Sequence, residues 1–118
     1  MSRVGILGAG TWGMALARIL ANSGHDVTVW SALEEEIEML RTGRRHPKLP
    51  NVIFPETIKY SNKIMEACIH KDILLFAVPS VFVRTTVAKC SSFIGAEQII
   101  VNVSKGIMEQ IFRILFVL

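Results

Sequence analysis

Long apolar runs, cysteine clusters, internal repeats and a large excess of charge of either sign are all missing from this 118-residue chain. No uninterrupted stretch approaches the ~18 apolar residues that a membrane span requires, so none is expected. The apolar N-terminus is broken by Gly5, Gly8, Gly10 and Gly13 and carries a single Arg3, which makes it a poor secretory leader. Cys68 and Cys90, the two cysteines, show no metal-ligand spacing and read as reduced, buried thiols of a cytoplasmic protein rather than as a disulfide. With 13 Lys and Arg against 10 Asp and Glu, the net charge is only +3. The basic residues are scattered apart from Arg41, Arg44, Arg45 and Lys48, which gives little footing for nucleic acid.

What is present is a hydrophobic share of 51%, enough for one domain with a real core over residues 1–118. Residues 3–8 (RVGILG) predict a strand, and Trp12, Ala15, Leu16, Ile19 and Leu20 then follow the spacing of one helical face. Asn22, Ser23 and Gly24 end that helix, and Val27 to Trp30 predict a second strand. Leu33, Ile37 and Leu40 space a second helix, with Glu34, Glu35, Glu36 and Glu38 near its start, Arg41 near its end and Gly43 as its cap. That charge order opposes the helix dipole and supports the assignment.

Residues 44–56, with three prolines, read as a long surface loop in which His46 is a solvated residue. Such a loop either covers a ligand or merely wanders. A third strand is expected over residues 57–60 and a short helix over 62–70, with Ile64, Ala67 and Cys68 inward. The run ILLFAV at 73–78 lacks polar alternation, as does a parallel strand covered by helices on both faces. A helix over 80–90 and a fifth strand over 99–103 complete the alternation. The pattern predicts a doubly wound parallel sheet of Rossmann type, in strand order 3-2-1-4-5.

Within it, Gly8, Gly10 and Gly13 fit G-x-G-x-x-G between the first strand and first helix, with a second strand about 20 residues on. Gly8 permits the tight turn, Gly10 admits a pyrophosphate to the backbone, and Gly13 lets the helix pack on the strand. The helix N-terminus then receives the phosphates. Two roles are open to Trp12, core packing and cofactor contact, since it lies both on the apolar stripe and in the turn. After the second strand stand Trp30, Ser31 and Ala32, with no carboxylate before Glu34, so both NAD and NADP remain open. Ser31 either hydrogen-bonds the adenosine end or caps the following helix. The turns at Val78, Pro79 and Ser80 and at Ser104, Lys105 and Gly106 are expected at the same crevice as the glycine turn, with Lys105 touching the ligand.

Together, GAGTWGMALA at 8–17, GHDVTVW at 24–30, LPNVIFPETI at 49–58, AVPS at 77–80 and VSKGI at 103–107 resemble bacterial NAD(P)-dependent glycerol-3-phosphate dehydrogenase. The resemblance covers nearly all of the chain up to Ile107. It implies that Gly8, Gly10, Thr11 and Trp12 contact the dinucleotide, that Pro79 and Phe82 line its nicotinamide end, and that Lys105 reaches cofactor and substrate as a catalytic residue. It also implies hydride transfer between the nicotinamide and dihydroxyacetone phosphate, giving sn-glycerol 3-phosphate for phospholipid synthesis.

This sequence departs from the family at two places. The family often has Arg or a similar polar residue where Ser31 stands, so a preference for NADPH does not carry over. Family members also continue into a helical domain that holds a second lysine and binds the substrate phosphate. Here residues 108–118 read MEQIFRILFVL, with seven of the last eight apolar. That tail is expected to pack on the sheet, join a second copy of the chain, or mark a truncated or shifted reading frame. The leading expectation is a cofactor-binding domain inactive alone, acting on a phosphorylated three-carbon substrate only when the missing domain is supplied. The alternatives are a domain of another hydroxyacid or nucleotide-sugar dehydrogenase, a non-catalytic dinucleotide-binding or oligomerising protein, and a fold that binds nothing.

Overall fold

The computed structural model describes residues 1–103. Lys105, with its neighbours Ser104 and Gly106, and the apolar tail at 108–118 lie outside the described residues. Strands and helices alternate: β1 (Arg3–Leu7), α1 (Thr11–Asn22), β2 (Asp26–Trp30), α2 (Glu34–Gly43), β3 (Lys59–Ser61), α3 (Ile64–Cys68), β4 (Ile73–Phe76), α4 (Val83–Cys90) and β5 (Ile99–Asn102). All the strands are parallel, in the expected order β3-β2-β1-β4-β5. In register, Val4 lies between Val27 and Ile73, and Leu7 between Trp30 and Phe76.

The two-residue period of the strands divides the core into two layers. Val4, Ile6, Val27, Val29 and Leu75 meet Met14 and Ala17 of α1 and Leu40 of α2 on one face. Leu7, Trp30, Leu74 and Phe76 meet Ala67 and Cys68 of α3 and Cys90 of α4 on the other. Burying one such large aliphatic or aromatic side chain contributes roughly 1.5–3 kcal/mol, so the central strands β1, β2 and β4 carry most of the driving force. The edge strand β5 differs, with Ile99, Ile100 and Val101 all exposed.

Local details depart from the sequence expectations. In α1 the buried positions are Gly13, Met14 and Ala17, whereas Trp12 and Ile19 are exposed and Ala15, Leu16 and Leu20 only half-buried. Two of the buried three are small and let the helix approach the sheet closely, while Met14 fills the core between them. Leu33 is likewise exposed, preceding α2 rather than packing beneath it, while Ile37 and Leu40 are buried. Gly43 is still helical, and Arg44 takes the C-cap with φ 53°. Its N–H donates to the Leu40 carbonyl at 2.9 Å and its guanidinium pairs with Glu56 at 3.1 Å. The third strand begins two residues late, β4 stops at Phe76, and residues 80–82 form a 3-10 turn ahead of α4.

The proline-rich loop is anchored. His46, expected in solvent, is buried, and its Nδ1 accepts the Lys48 N–H at 3.1 Å. Phe54 is buried in the α1-side core, with Leu49 and Val52 packed against that core, and Arg45 donates to the Pro50 carbonyl at 2.7 Å. Among the described residues no helix is long and apolar enough to cross a membrane.

Candidate functional site

β1 and β4 are adjacent, yet the chain leaves them for opposite faces of the sheet, through α1 and α4. This reversal opens a cleft of about 790 Å³ outside the carboxyl ends of β1, β2 and β4. Its floor is the β1–α1 turn, Gly8 to Trp12; one wall is Trp30 to Leu33 with Glu36, and the other runs from Ala77 to Pro79, through Phe82, to Thr85, Thr86 and Lys89. Lys48 of the proline-rich loop stands at the rim.

The glycines of the floor do three different things. Gly8 has φ 125°, a conformation that side-chain-bearing residues rarely adopt, and a Cβ there would meet the Ala77 backbone at 2.8 Å. Gly13 does not line the cleft: a Cβ on it would press into the Gly8 carbonyl oxygen, so it seats α1 against the turn. Among the described residues nothing lies within 4 Å of where a Cβ on Gly10 would stand. At this position the open space belongs to the cleft rather than to the protein.

Gly10 is also the N-cap of α1, in extended conformation, and its carbonyl accepts the Met14 N–H at 3.0 Å. Among the described residues no side chain caps this helix, and no acidic residue stands in its first turn. Its first N–H groups and positive dipole end therefore face the cleft uncompensated. By contrast, α2 carries Glu34, Glu35 and Glu36 in its first turn. Two neighbouring helices thus bring their N-termini to one cleft, that of α1 bare and that of α2 covered by acidic side chains.

The β2 wall is hydrogen-bonded. Ser31, buried, accepts the Leu33 N–H at 3.1 Å and donates to Oε1 of Glu36 at 2.7 Å. The serine thus ties the approach to α2 without being its cap residue, which is Leu33. Trp30 lies across the inner end of this wall, its indole N–H donating to the Asn62 carbonyl at 3.1 Å and Lys89 Nζ standing 6.0 Å from its ring centroid.

Of the residues singled out from the sequence, Gly8, Gly10, Thr11, Trp12, Ser31, Pro79 and Phe82 come together around this cleft. Trp12 and Phe82 are exposed, 41% and 56%, so neither serves the core. Glu36, Lys48, Thr85 and Lys89 were missed by the sequence reading. Glu36 follows Ser31 by five residues, a reach set by the bend between strand and helix and not by periodicity.

Cys68 and Cys90 lie away from the cleft, in the core beneath α3 and α4, with their thiols hydrogen-bonded to each other. The bond accepted from Cys90 lowers the Cys68 pKa, and donation together with burial raises that of Cys90.

A parallel sheet in this order, with a glycine turn opening a helix at the switch point, defines the Rossmann-type class of α/β domains. The chain belongs to the glycerol-3-phosphate dehydrogenase family: residues 3–117 match the family model of the NAD-dependent glycerol-3-phosphate dehydrogenase N-terminus. It is 58% identical over 107 residues to glycerol-3-phosphate dehydrogenase [NAD(P)+] 2 of Lactobacillus delbrueckii subsp. bulgaricus, covering 91% of this chain and 32% of that protein. It is 53% identical over 110 residues to glycerol-3-phosphate dehydrogenase [NAD(P)+] of Agathobacter rectalis, covering 92% and 33%. The crystal structure of glycerol-3-phosphate dehydrogenase from Coxiella burnetii superposes with a TM-score of 0.79 at 29% identity, covering 89% of this chain and 34% of that one. The chain thus spans about a third of the length of these relatives.

Proposed function

We propose that this chain is the NAD(P)-binding part of a glycerol-3-phosphate dehydrogenase, an oxidoreductase that interconverts dihydroxyacetone phosphate and sn-glycerol 3-phosphate. The observation that carries the reading is the uncapped, acid-free N-terminus of α1 beside the open space at Gly10. A dianionic pyrophosphate suits that space because the backbone N–H groups of the turn point at it and no Cβ stands in the way. When bound, the dinucleotide supplies a hydride to the substrate carbonyl carbon, or accepts one from the alcohol.

The protein's own residues hold and orient. Gly8, Gly10 and Thr11 cradle the phosphates, and Gly13 keeps α1 seated. Trp12 covers the cradle, Ser31 lies at the adenosine end, and Pro79 and Phe82 flank the nicotinamide end. Lys105 is assigned to cofactor and substrate by the family resemblance. Hydride transfer also needs the carbonyl polarised and aligned. Residues 1–118 by themselves are expected to bind the dinucleotide with negligible turnover, in keeping with their share of the relatives' length.

Calorimetric titration of the purified chain with NADH and NADPH tests this, using Gly10→Ala as the control. Saturable binding is expected for the wild type. Gly10→Ala should weaken it by about tenfold or more, since the methyl fills the phosphate approach. Its cost in stability should be no more than about 1 kcal/mol, because nothing in the protein is crowded. A folded chain that takes up neither dinucleotide would sink the reading, as would undiminished binding by Gly10→Ala.

A further inference from the structure

We propose that Glu36 is a specificity-determining residue that selects NAD(H) against NADP(H), an inference that rests on the cofactor reading above. From the sequence alone, the stretch after β2 has no carboxylate before Glu34 and leaves both NAD and NADP open. Folding narrows that choice. Glu36 is the third residue of α2, and its carboxylate reaches back to the Ser31 hydroxyl at 2.7 Å and lines the cleft beside Ser31, Ala32 and Leu33. An acid therefore occupies the end of the second strand, where the adenosine ribose of a dinucleotide lies in this class of fold.

The hydrogen bonding fixes its direction. Ser31 Oγ accepts the Leu33 N–H and spends its own proton on Oε1 of Glu36. Among the described residues Oε2 has no hydrogen-bond or ion-pair partner and remains available to accept from a ribose hydroxyl. A ribose diol supplies that donor. A 2′-phosphate supplies chiefly acceptors and negative charge, which the Glu36 carboxylate in the cleft wall repels. Among the described residues Lys48 and Lys89 are the lysines that line the cleft, and they attract either anionic dinucleotide.

The test compares affinities of the 118-residue chain for NADH and NADPH, wild type against Glu36→Gln and Glu36→Ala, with circular dichroism as the check on folding. The wild type is expected to hold NADH tighter by about tenfold, a ratio that shrinks with added salt because it is electrostatic. Glu36→Gln, which keeps a partner for Ser31 while losing the charge, should bring the ratio to within about threefold of unity, mainly by improving NADPH. Equal or tighter binding of NADPH by the wild type overturns the proposal without any variant. So does a ratio unchanged in whichever variant folds. Absence of binding by either dinucleotide would instead remove the cofactor reading, and this inference with it.

Discussion

Tyr60 shows how a single residue carries a cost that its neighbours do not relieve. Its hydroxyl is buried and, among the described residues, has no hydrogen-bond partner. Burial pushes its pKa from 10.0 up to about 12, against a small opposing pull from Arg44. Tyr60→Phe removes the unpaired group, and a gain of about 1 kcal/mol is expected in urea denaturation at neutral pH. Because the folded pKa is the higher one, the phenol's protonation supports the fold fully below pH 10.0, and that contribution is lost as pH rises toward about 12. Wild type should therefore lose stability relative to Tyr60→Phe across that window. A variant less stable than wild type at neutral pH would mean that the hydroxyl does have a partner.

At the scale of elements, what matters most is how closely α1 approaches the sheet. Gly13 seats the helix against the Gly8 carbonyl, and Ala17 continues the same close face. Gly13→Ala must push α1 off the turn, and a loss of about 2–3 kcal/mol in denaturant unfolding is expected from this overpacking. Gly10→Ala, three residues earlier, should cost far less. Equal losses at the two positions would contradict the distinction between a packing glycine and a ligand-facing one. The same closeness explains why the apolar stripe of Trp12, Ala15, Leu16, Ile19 and Leu20 is not the buried face. A contact made by Gly13 and Ala17 with Met14 as its one large side chain leaves little hydrophobic signal in the sequence.

For the whole molecule, the cleft exists only when β1, β2 and β4 are side by side, so binding and folding are linked. At NADH concentrations about 100 times Kd the folded state gains about 2.7 kcal/mol, which for a domain of this size raises the thermal midpoint by about 10 °C. Differential scanning fluorimetry checks this directly, and a midpoint indifferent to saturating NADH and NADPH would argue against a dinucleotide site. Much of this architecture was legible in advance. The strand order follows from alternating strands and helices with a glycine turn first, and the ends of β1, β2 and β4 follow from that order. The anchored loop was less legible, because Phe54 reaches the α1-side core and His46 is buried through contacts that no periodicity announces.

Sequence alone determined the alternation, the parallel sheet and the glycine turn, since each rests on local spacing and on backbone freedom that only certain residues possess. Only the tertiary structure decided which face of α1 is buried, that Arg44 rather than Gly43 ends α2, and that Glu36 joins Ser31 at the cleft. The buried face of α1 depends on how closely the helix approaches the sheet, which packing sets. The other two depend on how the chain bends out of α2 and into it, where no periodicity carries the signal, and on partners such as Glu56 for Arg44.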